Sequence, residues 1–258
     1  MKKNLYYRTV YKRTNVVKSL SVAVFQFIAS YPRLLLEVFI RRNLGERYFT
    51  FFGCMVMAFV LTLMPFFSSG VMSFFGRTRP FEFSSFLMAN LSWYIFLGAF
   101  VFFAVKRRAE IARNPSVFDF GRFSLSTGES LPFFYEIKIF GGTPDPRTVE
   151  TILEPLFFFA IGLFLTFFGQ SVGWLILVCS ILYGLSYRGA YKLGDEFVMD
   201  KIDEQIANEE TYKAFVEDQE PRLTRGMRFY GRRPVDPEKR RQVADSFIEE
   251  EDEVFEAS

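Results

Sequence analysis

The stretch LEPLFFFAIGLFLTFFGQSVGWLILVCSILYGLSY, residues 153–187, contains two apolar runs joined at Gly169-Gln170-Ser171, with no charge between Glu154 and Arg188. Each run reaches about 25 Å as a helix, close to the thickness of the hydrocarbon core of a bilayer. Backbone polar groups inside lipid must be satisfied within their own segment, so two helices joined by a polar turn fit this pattern best. The sequence therefore predicts a transmembrane hairpin over residues 155–187.

The composition of the whole chain agrees with a membrane protein. Half of the 258 residues are hydrophobic, and the 35 phenylalanines are concentrated in a few runs. Histidine is absent, which removes histidine-based acid/base pairs, Ser-His-Asp triads and HExxH zinc sites. The sequence predicts no catalytic residue, no cofactor and no metal site. Cys54 and Cys179 lie in apolar runs without CxxC spacing and are expected to be buried free thiols.

A first hairpin is predicted over residues 48–105, from apolar runs at 48–67 and 83–105. Basic residues precede the first run and follow the second, which is typical of cytoplasmic ends. The expected fold class is an all-α polytopic membrane protein of the bacterial inner membrane, with two helical hairpins, four spans and cytoplasmic N- and C-termini. No predicted span contains an ionisable residue, which argues against an ion-coupled transporter.

The N-terminal arm, residues 1–47, is strongly basic. Gln26, Ser30, Arg33, Glu37 and Arg41 recur at helical spacing and share one face. This pattern predicts an amphipathic helix at the membrane surface, because the charges leave too few uninterrupted apolar positions for a span. The alternative is that the helix packs on another part of the protein.

Residues 106–154 form the predicted cytoplasmic loop. Alternating apolar residues around a Ser-Thr-Gly-Glu break predict a small β-hairpin within it. Its phenylalanines Phe118, Phe120 and Phe123 are candidate contacts with a partner protein or with the membrane surface. Asp145 before Pro146 predicts a helix N-terminus.

The C-terminal part of the chain continues the fourth span as an acidic amphipathic helix over residues 188–220. Its apolar stripe, Phe197, Ile202 and Ile206, is expected to contact a partner. Residues 221–258 form a basic and then acidic tail, predicted to be partly disordered. Its candidate patch for anionic lipid or protein contains five basic residues: Arg222, Arg225, Arg228, Arg232 and Arg233. Nucleic acid is disfavoured because the neighbouring acidic block competes for the same cations.

These features favour a non-enzymatic docking or assembly subunit of a larger membrane complex, for example of secretion or conjugation type. Its expected partners are membrane or cytoplasmic proteins, anionic lipid, or a second copy in a homo-oligomer. A small oligomeric channel or transporter lined by Asn90, Ser92, Gln170 and Ser171 is the alternative. A membrane enzyme using the carboxylates Asp119, Glu129 and Glu136 is less favoured, because nothing in the sequence fixes their geometry.

Overall fold

The computed structural model describes residues 3–12, 16–74, 83–138 and 142–249. The predicted disorder of the last residues of the tail therefore falls, from residue 250 onward, outside the described part. The chain divides into two compact units, which we call the terminal unit (residues 1–21 and 191–258) and the central unit (residues 22–190).

The described residues are mostly helical, with two small antiparallel sheets. A short π-helix covers Val149–Leu153, and a short 3₁₀-helix covers Val117–Asp119. The helices are α1 Val16–Ile40, α2 Phe51–Phe74, α3 Phe83–Ala89, α4 Leu91–Arg113, α5 Phe133–Glu136, α6 Pro146–Thr148, α7 Glu154–Phe167, α8 Ser171–Phe215 and α9 Pro237–Asp245. The strands are β1 Lys3–Asn4, β2 Arg41–Arg42, β3 Glu129–Ser130 and β4 Ile248–Glu249.

Among the described residues, three helices are long and apolar enough to cross a membrane: Val17–Ile40, Pro146–Phe167 and Ser171–Phe215. The apolar part of α2, Phe51–Phe67, is shorter. The second run of the first predicted hairpin is interrupted at Asn90, where α3 ends and α4 begins. The chain is thus a mostly helical protein with helices suited to a bilayer, which is consistent with an integral membrane protein.

The two predicted hairpins are each antiparallel helix pairs within the central unit. In α2 and α4, the Trp93 Nε1 donates to the Leu61 carbonyl at 2.9 Å, and the Arg108 guanidinium lies 4.5 Å from the centre of the Phe51 ring. The Ser92 hydroxyl at the start of α4 donates to the Gln170 side chain at 2.5 Å. This contact joins the first hairpin to the turn of the second.

Small residues allow α7 and α8 to approach closely. A Cβ added to Gly162 would lie 2.9 Å from the backbone nitrogen of Leu177, and one added to Gly173 would lie 2.5 Å from that of Thr166. The turn between the helices contains Gly169, whose φ of 71° suits glycine. The Ser180 hydroxyl, part of a small-xxx-small pair with Gly184, donates to the Pro155 carbonyl at 2.6 Å.

The predicted β-hairpin within residues 106–154 is wrong. β3 pairs instead with β2, which directly follows α1, with Arg41 opposite Ser130 and Arg42 opposite Glu129. The phenylalanine-rich segment that was expected to supply the second strand contains helix α5. The chain turns towards β2 at Gly128, whose φ is 81° and whose added Cβ would lie 2.5 Å from the Arg42 carbonyl oxygen.

The terminal unit is built from both ends of the chain. β1 pairs with β4, with Lys3 opposite Glu249 and Asn4 opposite Ile248. Beside the sheet, the rings of Tyr6 and Phe229 stack with their centres 4.6 Å apart. The sequence patterns do not predict this unit, because each of them lies within either the N-terminal arm or the tail and none connects the two.

Candidate functional site

A cluster of buried charges lies where α1, α7 and α8 meet in the central unit. Its charged members are Arg33, Glu37, Arg41, Glu150 and Glu154. Helical spacing in the sequence predicts that the first three share one face of a helix, and the structure places Arg33 and Glu37 in α1 and Arg41 in β2, directly after its end. It did not predict that Tyr183 and Tyr187 of α8 face them.

Arg41 is the centre of this cluster, and its side chain has no exposed surface. Its Nη2 lies 2.6 Å from Glu154 Oε2, and its Nη1 lies 3.2 Å from Glu150 Oε1. Its Nε donates to the Tyr183 hydroxyl at 3.0 Å. The Tyr183 hydroxyl in turn donates to Glu154. The planar guanidinium therefore connects the end of α1 to both helices of the second hairpin.

Glu37 lies one turn before Arg41 and also has no exposed side-chain surface. It accepts hydrogen bonds from the Tyr187 hydroxyl at 2.5 Å and from the Tyr48 hydroxyl at 2.6 Å. Burial and the neighbouring Glu37 carboxylate raise the pKa of Tyr48, so the phenol keeps its proton and remains a donor. Arg33 lies 3.4 Å from Glu37 and supplies the nearest opposite charge.

The contacts also show how α1 is placed. Within the central unit, its hydrogen-bonded residues run from Gln26 to Arg41, and their α8 partners lie within residues 183–187. The polar side chains on this face of α1 therefore converge on a short segment of α8.

The buried cluster changes one inference from the sequence. All three helices suited to span, Val17–Ile40, Pro146–Phe167 and Ser171–Phe215, contain ionisable residues. The sequence argument against ion transport, which considered four uncharged spans, therefore does not extend to these helices. The cluster itself is closed, however, because Glu37, Arg41 and Glu154 have no exposed surface and bond to one another or to tyrosines. We interpret it as a structural connection between helices.

The loop phenylalanines stand out from the surface of the central unit. Phe118, Phe120 and Phe123 are 86%, 98% and 70% exposed. Their turn is held by a capping box, in which the Ser116 hydroxyl accepts from the Phe118 backbone and the Asp119 carboxylate accepts from the Ser116 backbone. A rigid turn thus presents large apolar side chains.

The apolar stripe of α8 lies in the terminal unit. Phe197 and Ile202 are 63% and 51% exposed, and Ile206 is partly buried. The acidic residues beside the stripe pair with the N-terminal segment, in the pairs Arg8–Glu204, Lys12–Asp200 and Lys18–Glu196. The basic arm is therefore ion-paired to the acidic face of the helix, while much of the apolar stripe stays exposed.

The basic patch is only partly available to a ligand. Arg225 pairs with Glu209 and Glu210, and Arg233 pairs with Asp218. Arg222, Arg228 and Arg232 are exposed.

The candidate residues for a membrane enzyme are only partly together, and two of the candidate residues for a channel or transporter bond to each other. Glu129 and Glu136 share an open pocket with Glu150, whereas Asp119 caps the turn at Ser116. Ser92 and Gln170 bond to each other, and the Asn90 side chain donates to the Phe86 carbonyl. Cys54 and Cys179 are buried and unpaired, as expected.

Comparison of the chain with protein-family models, with curated proteins and with solved structures gives no match.

Proposed function

We propose that this chain is a non-enzymatic docking or assembly subunit of a larger membrane complex, for example of secretion or conjugation type, in a bacterial inner membrane. In this proposal α2, α3–α4, α7 and the first part of α8 are the four spans. The terminal unit and the loop at residues 106–153 lie in the cytoplasm. The partner is a membrane or cytoplasmic protein, or a second copy of the chain.

The topology is supported by the pairing of β1 with β4. Both ends of the chain belong to one folded unit, so the chain between them must cross the bilayer an even number of times. The antiparallel pairs α2–α4 and α7–α8 each contribute two crossings. A crossing by α1 would make the number odd. We therefore infer that α1 does not cross the bilayer.

The exposed stripe on α8 carries the docking role. Val198, Met199 and Ile202 are each more than half exposed and lie on one face of the helix, whereas Phe197 lies about 140° from Ile202 around the helix axis. They lie beyond Arg188, outside the apolar part of the helix. Large apolar side chains grouped outside a bilayer are typical of protein contact surfaces.

Crosslinking in cells tests this role. A photo-reactive residue at position 198, one helical turn before Ile202, should form an adduct of defined mass with a partner, and the substitution Ile202→Ser should weaken that adduct. The matched control is a photo-reactive residue at Val235, an isolated apolar side chain of the same unit that is 92% exposed. An adduct between two copies of the chain would identify a homo-oligomer. If the chain is a lone monomer in mild detergent and position 198 reacts no more than position 235, the docking role is wrong.

A further inference from the structure

An apolar groove of about 670 Å³ lies within the central unit between α4 and α7. Ser92, Ile95 and Phe103 of α4 form one wall, and Phe157 and Ile161 of α7 form the other. Residues of α8, α5 and the end of α1 complete the lining. The two hairpins touch at the Ser92–Gln170 hydrogen bond, and the groove separates them along the rest of these walls.

The lining has the wrong shape for a packed helix. Close approach of two helices in a membrane needs glycine, alanine or serine at the contact, as at Gly162 and Gly173 between α7 and α8. The groove contains neither glycine nor alanine, and seven of its lining side chains are phenylalanines: Phe39, Phe96, Phe103, Phe133, Phe134, Phe157 and Phe158. Its single serine, Ser92, already donates to Gln170. Flexible methylene chains fit between such rings more readily than a rigid helix backbone does.

The length of the groove matches one leaflet. From Ser92 to Phe103 the α4 wall rises about 16 Å, about half of the thickness of the hydrocarbon core. The groove is also open at its side, since Ile95 is 62% and Phe157 41% exposed. An acyl chain that enters from the bilayer would therefore contact an apolar groove about as long as the chain itself.

We propose that this groove binds an acyl chain of a membrane phospholipid, which fills the space between the two hairpins. The bound chain replaces direct contact between α4 and α7, so the lipid stabilises the arrangement of the hairpins. This site is independent of the docking surface on α8 and does not depend on the docking role.

Substitution within the groove tests the site. Ile161→Trp places a large ring in the groove, whereas Leu163→Trp puts the same ring on α7 at a side chain that is 56% exposed and outside the groove. After equal detergent washing, native mass spectrometry should detect retained phosphatidylethanolamine on the wild-type protein and on Leu163→Trp. We expect retention by Ile161→Trp to fall about tenfold, which corresponds to about 1.4 kcal/mol of binding free energy. Ile95→Trp, from the opposite wall, should give the same loss.

Thermal unfolding distinguishes loss of lipid from loss of the fold. Added phosphatidylethanolamine should raise the unfolding temperature of the wild-type protein and of Leu163→Trp, but not that of Ile161→Trp, whose ring already fills the groove. Equal phospholipid retention by all variants would overturn the proposal. Loss of a dimer, with phospholipid retention unchanged, would also overturn it and assign the groove to a helix of a second copy.

Discussion

Replacing Arg41 by methionine should destabilise the central unit by about 4 kcal/mol. The side chains of Arg41 and Glu154 have no exposed surface and lie 2.6 Å apart. Removing one partner of a fully buried ion pair costs about 3–5 kcal/mol, because the remaining charge stays in a medium of low polarity. Tyr183 still donates to Glu154, which lowers the cost from the upper limit. Glu150 loses its ion pair with Arg41, but 16% of its side chain remains exposed to solvation.

Unfolding in detergent, followed by circular dichroism against increasing dodecyl sulfate, measures this free energy. The control is Arg108→Met, which removes an exposed guanidinium that stacks on the Phe51 ring and should cost about 0.5–1 kcal/mol. The double variant Arg41→Met/Glu154→Met removes both buried charges, so it should be less destabilised than Arg41→Met alone. If Arg41→Met unfolds like Arg108→Met, the cluster does not hold α1 to the second hairpin.

Three further predictions concern helix packing, topology and the terminal unit. Gly173→Ala should destabilise the second hairpin by about 1–3 kcal/mol, since its Cβ would lie 2.5 Å from a backbone nitrogen of α7. The control Gly98→Ala, with open space around it inside α4, should instead stabilise by about 0.5–1 kcal/mol in the same unfolding measurement, because alanine favours the helix over glycine. In a background without the native cysteines, Lys18→Cys and Arg42→Cys should react with an impermeant maleimide from the same side of the membrane, and reaction from opposite sides would show that α1 crosses. Asn4→Ala removes a buried side chain that hydrogen-bonds to both the Tyr7 backbone and the Thr211 hydroxyl. The substitution should therefore speed proteolysis of the N-terminal segment. An unchanged cleavage rate would contradict the observed terminal unit.

Local patterns in the sequence predicted local structure well. The turn at Gly169 follows from a polar break in a long apolar run, and the shared face of Arg33, Glu37 and Arg41 follows from helical spacing. The partners of that face could not be predicted. Glu154 lies 113 residues from Arg41, and a single sequence contains no information on which distant carboxylate meets a given guanidinium.

The errors have a physical cause as well. The alternation around residues 118–135 resembles a hairpin, but β3 contains only two residues, and its partner is the equally short strand after α1. Such short strands have little propensity of their own and form where the surrounding chain brings two backbones together. The pairing of β1 with β4 is of the same kind, because it joins opposite ends of the chain.

The orientation of α1 follows from which of its faces is buried. The polar residues Arg33 and Glu37 turn inward to the tyrosines of α8, while apolar Phe27 and Ile28 are 69% and 59% exposed. A helix on a protein surface in water has the opposite arrangement, with its charges outward. Exposed phenylalanine and isoleucine are stable when the surroundings are apolar, so this face suits contact with lipid. In the proposed topology, in which α1 does not cross the bilayer, that contact is best satisfied by a helix lying along the membrane, anchored through Arg41 to the second hairpin.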